Sequence, residues 1–500
     1  MSISSLYFHA AGALLVVAVV AASSSHAFLV KSKSGMLKDP HVEGSIPVPP
    51  AQWFQQTLDH FDTQVLTTWK QRFFVNSTFY KPGGPVFLQI GGEGTANPVW
   101  VVVGQMMVQA QAQNAMAILV EHRYYGDSHP TPDLSLSNMR YLSSEQALAD
   151  LANFRDQYGS ANNLSESKWV TFGGSYPGSL SAWARVKYPH FFHAAVASSA
   201  PVWSVLNFTQ YLEVVQNSIG TDGGPDCLSA VQDSMKQVNE MLATASGRTQ
   251  LKVNFNACSP ITSDEMEIAT FAQSVAGLFM GVVQYNRDNV AFEGRTEVTI
   301  SDVCEVMTNK SINVPVDKLV AVSKLLNAKN GQSGECFDSA YTDMVSSLKN
   351  SSYGSQEGGR QWMYQVCHEF GFLQSSQANS SAQPFGNLFP VGTQVQLCED
   401  VFGVNASGLA NYIRWSNQNY GSLHLKGSRI VFPNGNIDPW HALSVLPDTI
   451  DLGTNVVPVL IDGTAHCANM YPSREDDLPS LVAARETIAN LVLLYIQDDN

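Results

Sequence analysis

Apolar and polar positions change their period along this chain, and each change marks an element. Short continuous apolar runs come first. "GGPVFLQIGGEG" carries one into a glycine loop, and "NAMAILVEHRYYG" carries another to a polar exit. "WVTFGG" and "HAAVASSAPV" hold two more. Apolar runs this short read as strands buried on both faces. Between them "SSEQALADLANFRDQYG" has helical spacing, with Ser143 or Ser144 as its cap, and "SLSAWARVKYP" is a second amphipathic run. This alternation, from Gln71 to Ser198, predicts a parallel sheet with helices on both faces.

After Pro201 the texture changes. Residues 205–425 hold six of the seven cysteines and longer helical patterns, as in "LSAVQDSMKQVNEMLATA" and "ITSDEMEIATFAQSVAGLFMGVV". Strand-like runs return in "SRIVFPNG" and "TNVVPVLIDG". The chain closes with "LPSLVAARETIANLVLLYI", whose apolar positions 481, 484, 488, 491, 492 and 495 form one helix face. No internal repeat is found. The pattern predicts one α/β domain, residues 50–204 and 426–500, interrupted by a mainly helical insertion at 205–425.

The apolar stretch Ala10–Ala22, followed by small residues, reads as a signal peptide cut after Ala27, although its first region has no Lys or Arg. No later run is expected to reach membrane-spanning length, so no membrane contact is expected after cleavage. Seven Asn-x-Ser/Thr sites, at Asn76, Asn163, Asn207, Asn309, Asn350, Asn379 and Asn405, fit the secretory route. In an exported chain the cysteines read mostly as disulfides. A net charge of −15 argues against nucleic acid and anionic membranes as partners.

The stretch Gly173-Gly174-Ser175-Tyr176-Pro177-Gly178 lies between a predicted strand and a predicted helix. A G-x-S-x-G turn there is the nucleophile elbow of α/β hydrolases. Here Pro177 takes the last glycine's place, which the first turn of a helix tolerates. A serine nucleophile needs a base, and the base needs an orienting carboxylate. Asp438 follows one late strand and His466 follows the next, in the chain order this fold uses. His441, at a helix start, and Asp462, in a turn, are the weaker rivals. The backbone N–H of Tyr176, with the loop Gly91–Thr95 (Gly92 and Glu93 foremost), is expected to form the oxyanion hole. His122, His129, His368 and His424 lack metal-ligand spacing, and no nucleotide fingerprint occurs, so neither a metal nor any other cofactor is expected.

"EHRYYGDSHP", "GGSYPGSLSAWARVKYPHFF", "ASSAPVW", "YQVCHEFGF", "FPNGNIDPWHALSV" and "GTAHCANMYP" together resemble the Pro-X carboxypeptidase and dipeptidyl peptidase II family, nearest its thymus-specific serine protease branch. The likeness runs from Trp53 to the C-terminus. It implies an α/β-hydrolase core with an inserted, mainly helical cap domain and Ser175, Asp438 and His466 as the triad. It also implies a serine exopeptidase that cleaves peptides after proline near a chain end, by carboxypeptidase or dipeptidyl-peptidase action, in a secreted, lysosomal or vacuolar setting. Trp440 matches a tryptophan that walls the family's proline pocket. Ser179 and Phe372 stand where Pro-X carboxypeptidases have methionine, which implies a reshaped pocket. The resemblance pairs Cys227 with Cys304, Cys258 with Cys336 and Cys367 with Cys398, leaving Cys467 as a buried thiol. A homodimer, a secreted esterase or lipase on the same fold, and a silent hydrolase-like binding protein stay open.

Overall fold

Eight strands form one sheet in the computed structural model, which describes residues 37–40, 46–287, 298–354, 358–376 and 384–498. The signal-peptide region and Asn379 lie outside the described residues. In chain order the strands are β1 (Gln52–Thr57), β2 (Thr68–Asn76), β3 (Val86–Ile90), β4 (Met116–Val120), β5 (Trp169–Gly174) and β6 (Ala194–Ser198). A pair in the insertion follows, β7 (Val205–Asn207) and β8 (Gly371–Leu373), and then β9 (Ile430–Gly435) and β10 (Val456–Ile461). The large sheet runs β1-β2-β4-β3-β5-β6-β9-β10.

From β4 across to β10 every neighbouring pair is parallel. β3, β5, β6 and β9 are buried along their whole length, as their unbroken apolar runs require. The wholly parallel sheet predicted from the pattern is corrected at one edge. β1 and β2 pair antiparallel, and β2 pairs antiparallel with β4. β1 is mostly exposed, so its residues carry no continuous apolar signal. This order, with helices packed on the parallel strands, is an α/β-hydrolase core carrying a helical insertion.

The helix Ser144–Ala161 starts at Ser143, whose side chain accepts from Gln146 N. The last helix, Pro479–Gln497, buries Leu481, Ala484, Ile488, Val492 and Tyr495, and lies against β6, β9 and β10. Two helices, Glu265–Gln284 and Pro479–Gln497, are in fact long and apolar enough to span a bilayer, which corrects the expectation that none would be. The first is mostly buried inside the protein, and the second lays one face on the sheet. Their apolarity is thus used in packing.

Disulfides join Cys227 to Cys304, Cys258 to Cys336 and Cys367 to Cys398, all within the insertion. Cys467 is a buried free thiol. Of the described glycosylation motifs, Asn163, Asn207, Asn309, Asn350 and Asn405 are exposed. Asn76 is half-buried, and its Nδ2 donates to Val101 O at 2.7 Å.

Candidate active site

The C-terminal ends of the parallel strands carry the chemistry, as is general for open α/β sheets. β5 ends at Gly174, and the next residue, Ser175, has φ 65° and ψ −134° before the helix Tyr176–Lys187 begins. A serine in this region costs about 1–3 kcal/mol, which the surrounding structure must offset. The turn is too tight for side chains beside it. A Cβ on Gly173 would lie 2.0 Å from Pro177 O, and one on Gly178 would lie 2.7 Å from Ser198 O. Ser175 N donates to Ser198 O at 2.9 Å, which pins the turn to β6. Pro177 sits in the helix's first turn, where no donor is lost.

Three residues beyond β9, Asp438 caps a short 3₁₀ turn, Pro439–Leu443, with Oδ1 accepting from Trp440 N at 3.0 Å. Its other oxygen, Oδ2, lies 2.9 Å from His466 Nδ1. His466 follows β10, and its backbone N–H donates to Gln284 O at 3.0 Å. Burial alone would disfavour an imidazolium here, but the Asp438 charge and hydrogen bond, together with Cys467, raise the His466 pKa well above its ordinary value. Ser175, Asp438 and His466 are all 0 % exposed. Among the described residues Ser175 Oγ and His466 Nε2 are both buried without a hydrogen-bond partner. No hydrogen bond competes for the Ser175 hydroxyl.

Tyr176 opens the helix, so its N–H has no acceptor within it. The glycine loop after β3 lies beside that N-terminus, since a Cβ on Gly92 would sit 2.2 Å from Pro177 Cγ. Ala96 N donates to Glu121 Oε1 at 2.9 Å, and Glu121 is itself paired with Arg72, so the far end of the loop is anchored. Glu93, in the same loop, is buried. The positive end of the helix and the glycine loop suit a developing oxyanion.

Tyr176 is fixed from behind. His122 Nδ1 donates to Arg123 O at 2.7 Å, which leaves Nε2 to accept from Tyr176 OH at 3.0 Å. Burial lowers the His122 pKa to about 4, so the ring stays neutral. Gln365 Nε2 donates to the same tyrosine oxygen at 2.9 Å.

Phe372 and Trp440 meet edge to face, with ring centroids 5.6 Å apart, and Phe208 and Tyr211 lie 5.4 and 5.8 Å from the Trp440 ring. Ser179 is buried, and its hydroxyl donates to Pro201 O at 2.9 Å. The rivals are occupied differently. His441 Nδ1 donates to Asp438 O at 2.6 Å, and Asp462 Oδ1 accepts from Asn436 at 2.6 Å. Cys467 has φ 61°, and its backbone N–H donates to Ser199 Oγ at 2.9 Å.

Sequence reasoning passed over three neighbours of the site. Gln284 and Tyr285 end an insertion helix, and Tyr285 lies edge-on to His466 at 6.3 Å. Residues 37–40 pack beside them: Lys38 Nζ stands 4.1 Å from the Tyr285 ring centre, and Tyr471 OH donates to Lys38 O at 2.7 Å. No motif marks a lone glutamine or a short segment before the first strand, so neither had a signal to find.

The chain is 40% identical over 448 residues to a candidate serine protease of Caenorhabditis elegans, covering 88% of this chain and 86% of that one. It is 36% identical to mouse thymus-specific serine protease, covering 90% of this chain and 88% of the relative. Human lysosomal Pro-X carboxypeptidase is 29% identical, with 89% and 88% covered. Among solved structures, a proline iminopeptidase from Mycobacterium smegmatis superposes with a TM-score of 0.39 at 10% identity, over 89% of this chain and 99% of that one. The elbow serine and the buried Asp438–His466 pair both stand beyond strand ends of one sheet, and the family match runs from residue 56 to residue 488: the chain belongs to the serine carboxypeptidase S28 family.

Proposed function

We propose that this serine peptidase is an exopeptidase that hydrolyses the bond after proline near a peptide terminus, through an acyl-enzyme on Ser175. The observation that carries the mechanism is the strained elbow serine set among the strand-end loops that hold a fully buried Asp438–His466 pair. His466 Nε2 takes the Ser175 proton as Oγ bonds to the scissile carbonyl carbon. Asp438 holds Nδ1–H and stabilises the imidazolium that forms. The Tyr176 N–H and the Gly92–Glu93 loop receive the oxyanion. On collapse the C–N bond breaks and His466 passes its proton to the leaving amine. Water then hydrolyses the ester by the same route in reverse.

The aromatic cluster of Phe372, Trp440, Phe208 and Tyr211 supports the proline preference, because flat faces suit a pyrrolidine ring. Burial of the triad beneath the insertion supports action at chain ends, since a closed cleft admits a terminus more readily than a loop. The name of the human relative, lysosomal Pro-X carboxypeptidase, points the same way, and the disulfides suit a secreted or lysosomal setting. The decisive experiment combines fluorophosphonate labelling with matched peptides carrying proline or leucine before the bond. Labelling with about 10- to 200-fold preference for proline is the expected result. Absence of labelling, or equal kcat/KM values, overturns the reading.

A further inference from the structure

Gln284 touches both sides of the site from a third element. It ends the insertion helix Glu265–Gln284 and is buried. Its carbonyl accepts from His466 N at 3.0 Å. Its side-chain Oε1 accepts from Trp440 Nε1 at 3.1 Å and from Tyr211 OH at 2.6 Å. Its Nε2 donates to Tyr285 OH at 2.9 Å. An indole nitrogen only donates, so the atom facing it must be the amide oxygen, and the orientation of the amide follows from chemistry.

Trp440 lies two residues after Asp438, and Asp438 faces His466. One insertion residue therefore grips the side chain at one end of this segment and the backbone at the other. Phe208, Tyr211 and Phe372 contact the Trp440 ring with centroids 5.4 to 5.8 Å away, and ring contacts of this kind allow a range of angles. The indole N–H bond to Gln284 fixes the ring about its own plane.

We infer that Gln284 is a positioning residue that sets the Trp440 wall relative to His466, and so determines selectivity for the residue before the scissile bond; this rests on the peptidase reading above. Its main-chain bond to His466 does not depend on its side chain, so the two contributions separate by substitution. Gln284→Leu keeps the length but removes the acceptor and donor. Gln284→Glu keeps the acceptor for Trp440 and Tyr211.

The test measures kcat/KM on matched proline and leucine peptides beside the rate of fluorophosphonate labelling. In Gln284→Leu the proline-to-leucine ratio should fall by about 10-fold, while labelling slows by less than about threefold. Gln284→Glu should bring the ratio back to within about threefold of the unsubstituted enzyme. A folded Gln284→Leu with an unchanged ratio overturns the inference, and so does labelling that falls in step with turnover and is not rescued by Glu. Should Gln284→Leu fail to fold, Trp440→Phe removes the same bond from the other side, and an unchanged ratio there overturns it too. An unsubstituted enzyme that fails to label or to discriminate sinks the proposed function first and this inference with it. Discrimination in the unsubstituted enzyme alongside an unchanged variant sinks the inference alone.

Discussion

The sheet core and the insertion are stabilised in different ways. The core buries β3, β5, β6 and β9 completely, and its one cysteine, Cys467, is unbonded. The insertion is helical, and its bridges close loops with sequence separations of 77, 78 and 31. Buried parallel strands can hold strained residues at their ends, and that is where Ser175, after β5, and Ser199, after β6, take positive φ. The insertion's helices share one apolar cluster with the sheet, and covalent loops restrict their unfolded chain as well. The proposed nucleophile and its Asp–His pair belong to the first region. The proposed substrate wall is shared with the second.

The largest expected effect keeps the two regions apart. Ser175→Ala should abolish fluorophosphonate labelling and reduce kcat by about 10⁴-fold or more, with a residue of turnover from binding and the oxyanion hole. The thermal midpoint should not fall, because the substitution relaxes nothing in the insertion and removes only a hydroxyl without a hydrogen-bond partner. Labelling that survives would transfer the nucleophile to another residue.

The strand-end placement of the proposed triad was legible because each residue follows a recognisable strand: Ser175 after "WVTFGG", Asp438 after "IVFPNG" and His466 after "VVPVLI". Backbone geometry leaves a mark in glycine placement, and continuous burial leaves one in apolar runs. The antiparallel β1–β2 edge was not legible, since β1 mostly faces solvent and shows no apolar run. The grip of Gln284 on Trp440 was hidden for another reason. It joins residues 156 apart in sequence through one amide, and no local pattern encodes such a contact.

The next effect falls on the insertion. Replacing Cys367 and Cys398 by serine opens a loop of separation 31 and should cost about 4 kcal/mol on a chain-entropy estimate. Differential scanning calorimetry should show the lower midpoint. Phe370 and Phe372 lie just beyond Cys367, so the proline-to-leucine ratio should suffer more than the labelling rate. Equal losses in both would mean that core and insertion unfold as one unit.

Glu369 joins the regions and makes their contact depend on pH. It sits in a π-helical turn of the insertion and accepts from Ser144 N at 2.9 Å, at the start of a core helix. Burial raises its pKa to about 7 against the hydrogen bonds from Ser144 and Gln365, with Glu145 adding to the rise. The folded state therefore binds the proton more tightly than the unfolded chain. The stability this gives is complete below the ordinary carboxyl value and is lost as pH rises through about 7, a span worth about 3 kcal/mol. Urea midpoints should fall between pH 5 and 8 in the natural chain. Glu369→Gln should flatten that slope, and an unchanged slope would assign it to another group.

The smallest effect asks whether the insertion's stability reaches the site at all. Asp264 caps the helix Glu265–Gln284, with Oδ1 accepting from Met266 N at 2.8 Å and Glu267 N at 3.3 Å. The helix has 20 residues, so its capped end lies about 30 Å from Gln284 at about 1.5 Å rise per residue. Asp264→Ala should cost about 1 kcal/mol and lower the thermal midpoint by a few degrees at most. It should leave the proline-to-leucine ratio alone, because the bonds from Gln284 to Trp440 and His466 belong to the last turn, and most of the helix between is buried. A ratio that moves with this distant cap would show that the helix transmits strain along its length, and that the wall at Trp440 is set by the insertion as a whole.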